Sequence, residues 1–472
     1  MKVTPAALAA TAAATAALAV TLVLDPAPTR ASAAVPSPSA APPAAAIPLG
    51  AAPVAQVGKG GVPAAPTPSA ASPSSATPAS SASPASAARP SGPCALSGLR
   101  AGASEAAATP KGYARSSGTV RALTLLIDFP DVRAPLTPEA RYGEFFPATA
   151  EFFRASSYGR LDYRSTPRLK WIRMPRSFAS YGIKRGASFV PGTDTGYYAL
   201  SRDLVSAVDD EVDFRDYDVV NVLATPNAGP PATRTVLSGS FSGGNLGLRT
   251  KDGVPLSNVS FMWSRQTGES AFRALNHENA HTFGLPDLYF TDGRKAPPPV
   301  GHWDPMDEDW GPDNDFLGWH KWKLGWLRPG QVECAARPGA VTEHTLTPTR
   351  SADGTKIVVI PVSARAAFVL EARERGRLDP SVCRAGVLIT WVRTDVPSGR
   401  GPIRTVDATP RSRGCYASDE NVDTELSDAQ FLPGQRFTDR ESGAAVTVLG
   451  RDAHDNYRVR VRAARVPGKP KD

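Results

Sequence analysis

The stretch His277-Glu278-Asn279-Ala280-His281, followed by Gly284 and Asp287, constrains this 472-residue chain more than any other. Residues four apart share one face of a helix. If 277–281 is helical, both imidazoles point toward a single metal ion. Glu278 is rotated off that line but stays beside the ion, where it can take a proton from water. Gly284 stands where such a helix would end, and a glycine there can turn the chain back. Leu285-Pro286 would keep the return stiff and bring Asp287 in as a third, oxygen ligand. Two histidines on one helix face are often ordinary core or surface residues. The chain has only six histidines, and this full pattern arises by chance on the order of once in a few hundred such sequences.

The chemistry expected of the pattern is zinc-dependent hydrolysis. Zinc on three protein ligands keeps a fourth position for water, lowers the pKa of that water and polarises a carbonyl. His277, His281 and Asp287 are the expected ligands, and Glu278 the general base. Asp304, Asp307 and Glu308 are rivals for the third position, because acidic residues crowd the segment around Met306. Tyr289 and His302 are candidates to stabilise an oxyanion, with a structural role as the alternative for each. Asp307-Glu308-Asp309 and Asp313-Asn314-Asp315 raise a structural calcium, Ca2+, against a solvated acidic loop. Their spacing does not match a twelve-residue calcium loop.

The N-terminus points to export. Met1-Lys2 precedes an apolar run over 6–24, and Ala31-Ser32-Ala33 offers a cleavage site. That is the layout of a secretory signal peptide over 1–34, with an uncleaved membrane anchor as the rival. No later segment is apolar enough to span a membrane. Residues 35–117 are rich in Ala, Pro and Ser and are expected to form a disordered linker or pro-segment. Cys94, Cys334, Cys383 and Cys415 suit an exported protein with two disulfides. The expected pairs are Cys383 with Cys415, inside one β-rich region, and Cys94 with Cys334. The net charge of +8 is spread along the chain. No block of like charges suggests a nucleic-acid arm, so the expected partners are protein or peptide substrates, and the expected state a monomer.

Ordered structure is expected from about Gly118. The run 120–127 reads as a buried strand, and Thr137-Pro138 as a helix start, with Pro147 breaking the helical stretch. Strands are expected over 161–171, 218–223 and 259–263, the last as a place for substrate to lie. A helix is expected over 197–212, a glycine-rich loop over 238–247, and the metal helix over about 267–283. The catalytic domain would occupy 118–330. Beyond it, 331–465 reads as a β-rich region, with strands over 357–362, 368–372, 387–392, 446–449 and 457–461. The fold class is therefore α+β.

Several segments together are similar to one family. They are Leu126-Ile127-Asp128-Phe129-Pro130-Asp131, Ser157-Tyr158-Gly159-Arg160-Leu161, Asp216-Tyr217-Asp218-Val219-Val220 and, above all, 277–289, reading HENAHTFGLPDLY. Asp304-Pro305-Met306-Asp307, 319–326, 368–373 and 386–389 continue the likeness, which covers roughly 118–437. The chain resembles the immune-inhibitor-A-like zinc metallopeptidases, secreted bacterial endopeptidases. The resemblance implies a zincin-like catalytic domain: a twisted sheet, a backing helix and an active-site helix lining a cleft. It also implies that Met306 lies under the metal as a methionine turn. Phe290 departs from the family, which has Asp after the Leu-Tyr pair, and this weakens any calcium-binding or supporting role there. Two rival functions stand beside the endopeptidase: a secreted binding or surface protein on the same scaffold, and a zinc-dependent cell-wall amidase. The intact Glu278 argues against the first.

Overall fold

The computed structural model describes residues 91–465 apart from 100–101, 108, 230–235, 244–245, 264–270, 295, 308–314, 381, 413 and 416–424. The expected signal peptide, the linker up to residue 90, the start of the metal helix before Ala271, and Glu308, Asp309, Asp313 and Asn314 lie outside the described residues.

The first sheet is formed by β1 (Gly118–Asp128), β2 (Leu161–Arg173), β3 (Val219–Ala224), β4 (Gly239–Phe241) and β5 (Val259–Met262), in the order β2-β1-β3-β5-β4. All pairs are parallel except the last, where β4 runs antiparallel to β5. Successive side chains of a strand point to opposite faces. Leu123, Leu125 and Ile127 of β1 therefore enter one buried cluster, with Leu200 and Leu204 of a helix over Gly196–Val208. Val120, Ala122 and Leu126 enter another, with Phe152 and Phe153 of a helix over Ala148–Ser156 and Leu275 of a helix over Ala271–Thr282. Burial on both faces explains the near-continuous apolar run. In chain order the helices are α1 (Pro138–Gly143), α2 (Ala148–Ser156), α3 (Phe178–Tyr181), α4 (Gly196–Val208), α5 (Ala271–Thr282) and α6 (Gly318–Lys323).

Two expectations need correction in this half. Residues 239–241, expected in a loop, form β4. The segment Gly-Ser-Phe is too short and polar to show a strand period, and its pairing with β5 comes from tertiary contact. As a result β5, expected as a place for substrate to lie, is inside the sheet between β3 and β4, and β4 is the edge on that side.

The remaining strands are β6 (Val332–Cys334), β7 (Val341–Leu346), β8 (Ile357–Ser363), β9 (Ala366–Arg373), β10 (Gly386–Arg393), β11 (Ile403–Thr405), β12 (Arg436–Thr438), β13 (Ala445–Arg451) and β14 (Tyr457–Arg462). They make two sheets, β11-β10-β9-β8-β6 and β12-β13-β14-β7. This part is β-rich, as the sequence suggests. Alternation again sorts the side chains. Val358, Ile360, Leu370 and Ile389 pack toward Val446 and Val459 of the outer sheet. Ile357, Val359, Val369 and Leu388 join the cluster that contains Leu275 and Phe283. The core thus runs unbroken across the boundary expected at 330.

Order also begins well before Gly118. Cys94, Leu96, Ser104, Glu105 and Ala106 are buried, so the end of the expected disordered segment is a packed strap. Three things hold it, none of them a long apolar run. Cys94 is disulfide-bonded to Cys334, with Cα atoms 5.9 Å apart. The Glu105 carboxylate accepts hydrogen bonds from Trp319 Nε1 and His320 Nε2, both at 3.0 Å. Lys323 Nζ donates to Ala106 O at 2.6 Å. The second expected disulfide, Cys383–Cys415, is present too. Among the described residues no helix is long and apolar enough to cross a membrane.

Candidate metal centre

Helix α5 is buried along almost its whole length, with Ala274, Leu275 and Ala280 in the core. It stops where the sequence says it should. Gly284 has φ +94°, a left-handed conformation that only glycine adopts without strain. Its N–H and that of Leu285 close the end on His281 O (2.9 Å) and Ala280 O (3.1 Å). A Cβ at this position would also lie 2.5 Å from Thr109 Cγ2 of the strap. The turn returns Asp287 to the helix.

His277, His281 and Asp287 come together. Asp287 Oδ1 is 3.3 Å from His277 Nε2 and 3.2 Å from His281 Nε2, and the two Nε2 atoms are 3.1 Å apart. The far nitrogens explain why these three atoms matter. His277 Nδ1 donates to Pro305 O and His281 Nδ1 to Leu285 O, each at 2.8 Å. A carbonyl can only accept, so each Nδ1 carries a proton, and the neutral form of each ring turns a lone pair inward at Nε2. Asp287 Oδ1 is buried and accepts no hydrogen bond. Three potential ligand atoms therefore face one another at 3.1–3.3 Å, an arrangement able to hold a cation at its centre. A tetrahedron with bonds of about 2.0–2.1 Å has edges of about 3.3 Å, close to the three separations. The two-imidazole, one-carboxylate donor set suits zinc rather than calcium, which takes oxygen ligands.

Charge reflects the same crowding in the metal-free chain. Burial pushes the Asp287 carboxyl upward, but the His281 and His277 rings outweigh it and hold Asp287 well below the usual carboxylate range. Burial pulls the His281 ring down, and Asp287 more than reverses this, so the ring is raised.

Glu278 is buried next to the group. Its burial raises the carboxyl pKa, against the opposing pull of His277, His281 and a hydrogen bond from Ser240. Ser240 Oγ lies 2.6 Å from Glu278 Oε2 and 2.7 Å from Glu278 O. A residue of edge strand β4 thereby fixes the carboxylate. A second serine fixes the carboxylate of the triad: Ser398 Oγ donates to Asp287 Oδ2 at 3.1 Å and accepts from Asp287 N at 2.9 Å. Neither serine has a signal in the sequence, since the partners lie 38 and 111 residues away.

Two of the rivals for the third position, Asp304 and Asp307, are otherwise engaged, and Glu308 lies outside the described residues. Asp304 accepts from Met306 N, Leu317 N and His320 Nδ1, all at 2.8 Å. Asp307 Oδ2 accepts from Val300 N and Gly301 N at 2.6 Å. Among the described residues, the group able to converge on one ion is His277, His281 and Asp287. Met306 is fully buried, and its carbonyl accepts from Leu288 N at 2.9 Å. The 304–307 turn is thus tied both to the Asp287 return and, through Pro305, to His277. Tyr289 is exposed, its ring 6.2 Å from the His277 ring between centroids. His302 is buried, and burial followed by the Arg373 charge lowers its pKa to about 3.

No protein-family model matches this chain, and no curated protein matches it either.

Proposed function

We propose that the chain is an exported zinc endopeptidase of the immune-inhibitor-A-like kind, with a zincin-like catalytic part. The observation that carries the reading is the convergence of three lone-pair atoms, at 3.1–3.3 Å from one another, beside a buried carboxylate held by an edge strand. His277, His281 and Asp287 would hold the ion. Zinc bound there would supply a polarised carbonyl and a water of lowered pKa. Glu278 takes the proton from the attacking water and returns it to the leaving amine. Ser240 keeps its carboxylate from rotating between those steps. Tyr289, its ring 6.2 Å from the His277 ring between centroids, is the candidate to stabilise the developing oxyanion.

Strand β4 supports a peptide substrate. Among the described residues its outer side pairs with no strand, so its N–H and C=O groups can hydrogen-bond an extended chain. Export accords with the two disulfides and with the apolar N-terminal run.

The test is cleavage of casein by the full chain after signal removal. The expected result is hydrolysis that a chelator stops and zinc restores. A chain that binds one zinc yet leaves casein intact would favour the binding scaffold or the cell-wall amidase.

A further inference from the structure

The loop between β10 and β11, which belongs to the C-terminal sheet, is fastened to the segment that carries Asp287. Gly399 N donates to Asp287 O, and Thr291 N to Gly399 O, both at 3.0 Å. Phe290 and Arg400 form an antiparallel bridge, and Arg400 pairs with Asp292 at 2.5 Å. At the centre of this zipper Ser398 closes a small ring on Asp287, accepting from its N–H and donating to Oδ2. One hydroxyl hydrogen serves one carboxylate oxygen. Oδ2 is thereby occupied and turned away, while Oδ1 is left buried without a hydrogen bond, facing both Nε2 atoms.

We propose that Ser398 is a positioning residue for the metal centre, so that the C-terminal sheet completes the site by presenting Asp287 through a single oxygen. The inference rests on the reading of Asp287 as a metal ligand. It assigns the β-rich part a share in metal retention, beyond its share in the core. Groups that orient metal ligands through a hydrogen bond typically govern affinity by ten- to a hundredfold. Without the Ser398 hydroxyl, Asp287 is free to rotate about its side-chain bonds, and the ordering of the carboxylate must then be met on binding.

The experiment is zinc competition against a chelator of known affinity, with the full chain carrying Ser398→Ala, Ser398→Thr or Asp287→Ala. Metal-free melting is measured in parallel, and each protein's cobalt(II) absorption is recorded. Ser398→Ala should bind zinc about tenfold or more weakly, with an altered cobalt band and an unchanged metal-free melting temperature. Ser398→Thr, which keeps the hydroxyl, should recover affinity and spectrum. Asp287→Ala should lose more than either. If Ser398→Ala matches the unmodified chain in affinity and cobalt spectrum while Asp287→Ala does not, the positioning role is overturned and the metal centre stands. The role is equally overturned if Ser398→Ala lowers only the metal-free melting temperature. If the unmodified chain binds no zinc, the reading of the centre falls, and this inference with it.

Discussion

Two buried groups in this protein have nearly the same composition and opposite wiring. One is His277, His281 and Asp287. The other is His320 between Asp304 and Glu105. In the second, both ring nitrogens face carboxylates, at 2.8 and 3.0 Å. The ring is a doubly donating imidazolium: burial pulls its pKa down, but Asp304 and Glu105 outweigh that and lift it to about 10. In the first, backbone carbonyls accept from the outward Nδ1 atoms, and both Nε2 atoms face Asp287 Oδ1 and each other. Histidine and carboxylate together do not make a metal centre. What distinguishes the candidate centre is the direction in which the second nitrogen is satisfied.

The largest expected effect falls on the wired-shut group. Glu105→Gln leaves a buried imidazolium with one charged partner, and breaking such a pair costs roughly 3–5 kcal/mol. The loss is expected in chemical denaturation, with zinc binding preserved. A variant that keeps its stability but loses zinc would merge the two regions and break the contrast.

Glu278→Gln should leave zinc bound and lower hydrolysis roughly a hundredfold or more, because only the proton acceptor is removed. Near-normal casein cleavage by this variant would remove Glu278 from the mechanism. Ser240→Ala is expected to act in the same direction and less strongly. It frees the Glu278 carboxylate without deleting it, so kcat should fall with zinc occupancy intact; a wild-type kcat would make Ser240 a packing residue only.

A graded effect follows from pH. His320 has its folded pKa raised to about 10 from the ordinary 6.5. The stability its charge contributes is complete below about pH 6.5 and is lost as pH rises through about 10. The gap in stability between the unmodified chain and Glu105→Gln should therefore shrink across that window. Buried Lys323, lowered to about 8 by desolvation against the upward pull of Glu105, loses that pull in the variant, so its share of the gap also shrinks as pH rises through that range. A gap that widens with pH would mean that His320 is neutral.

The contrast also explains what the sequence discloses. The candidate metal group is local: a helix, a glycine turn and a two-residue return bring His277, His281 and Asp287 together within eleven positions, and each rule acts on neighbours. Strands β1 and β3 are legible for the same reason, through their own apolar runs, and β2 through the turn Ser157-Tyr158-Gly159 before it. The rest is assembled at a distance. Glu105 reaches His320 across 215 residues, inside a strap whose Ala- and Ser-rich composition resembles the linker before it. Ser240 sits in a three-residue strand with no period to detect. Ser398 lies in a turn of the β-rich part and gives no sign that it touches a ligand. Burial of the strap is secured by a disulfide and ionic hydrogen bonds rather than by a hydrophobic stripe, so hydropathy could not show it.

The most direct test of the account is calorimetric titration of the metal-free full chain with zinc, alongside Asp287→Ala, Glu308→Ala and Glu105→Gln. The account predicts one zinc per chain, with binding severely weakened in Asp287→Ala and nearly intact in the other two. Binding that is absent from the unmodified chain, or that survives Asp287→Ala unchanged, would contradict it.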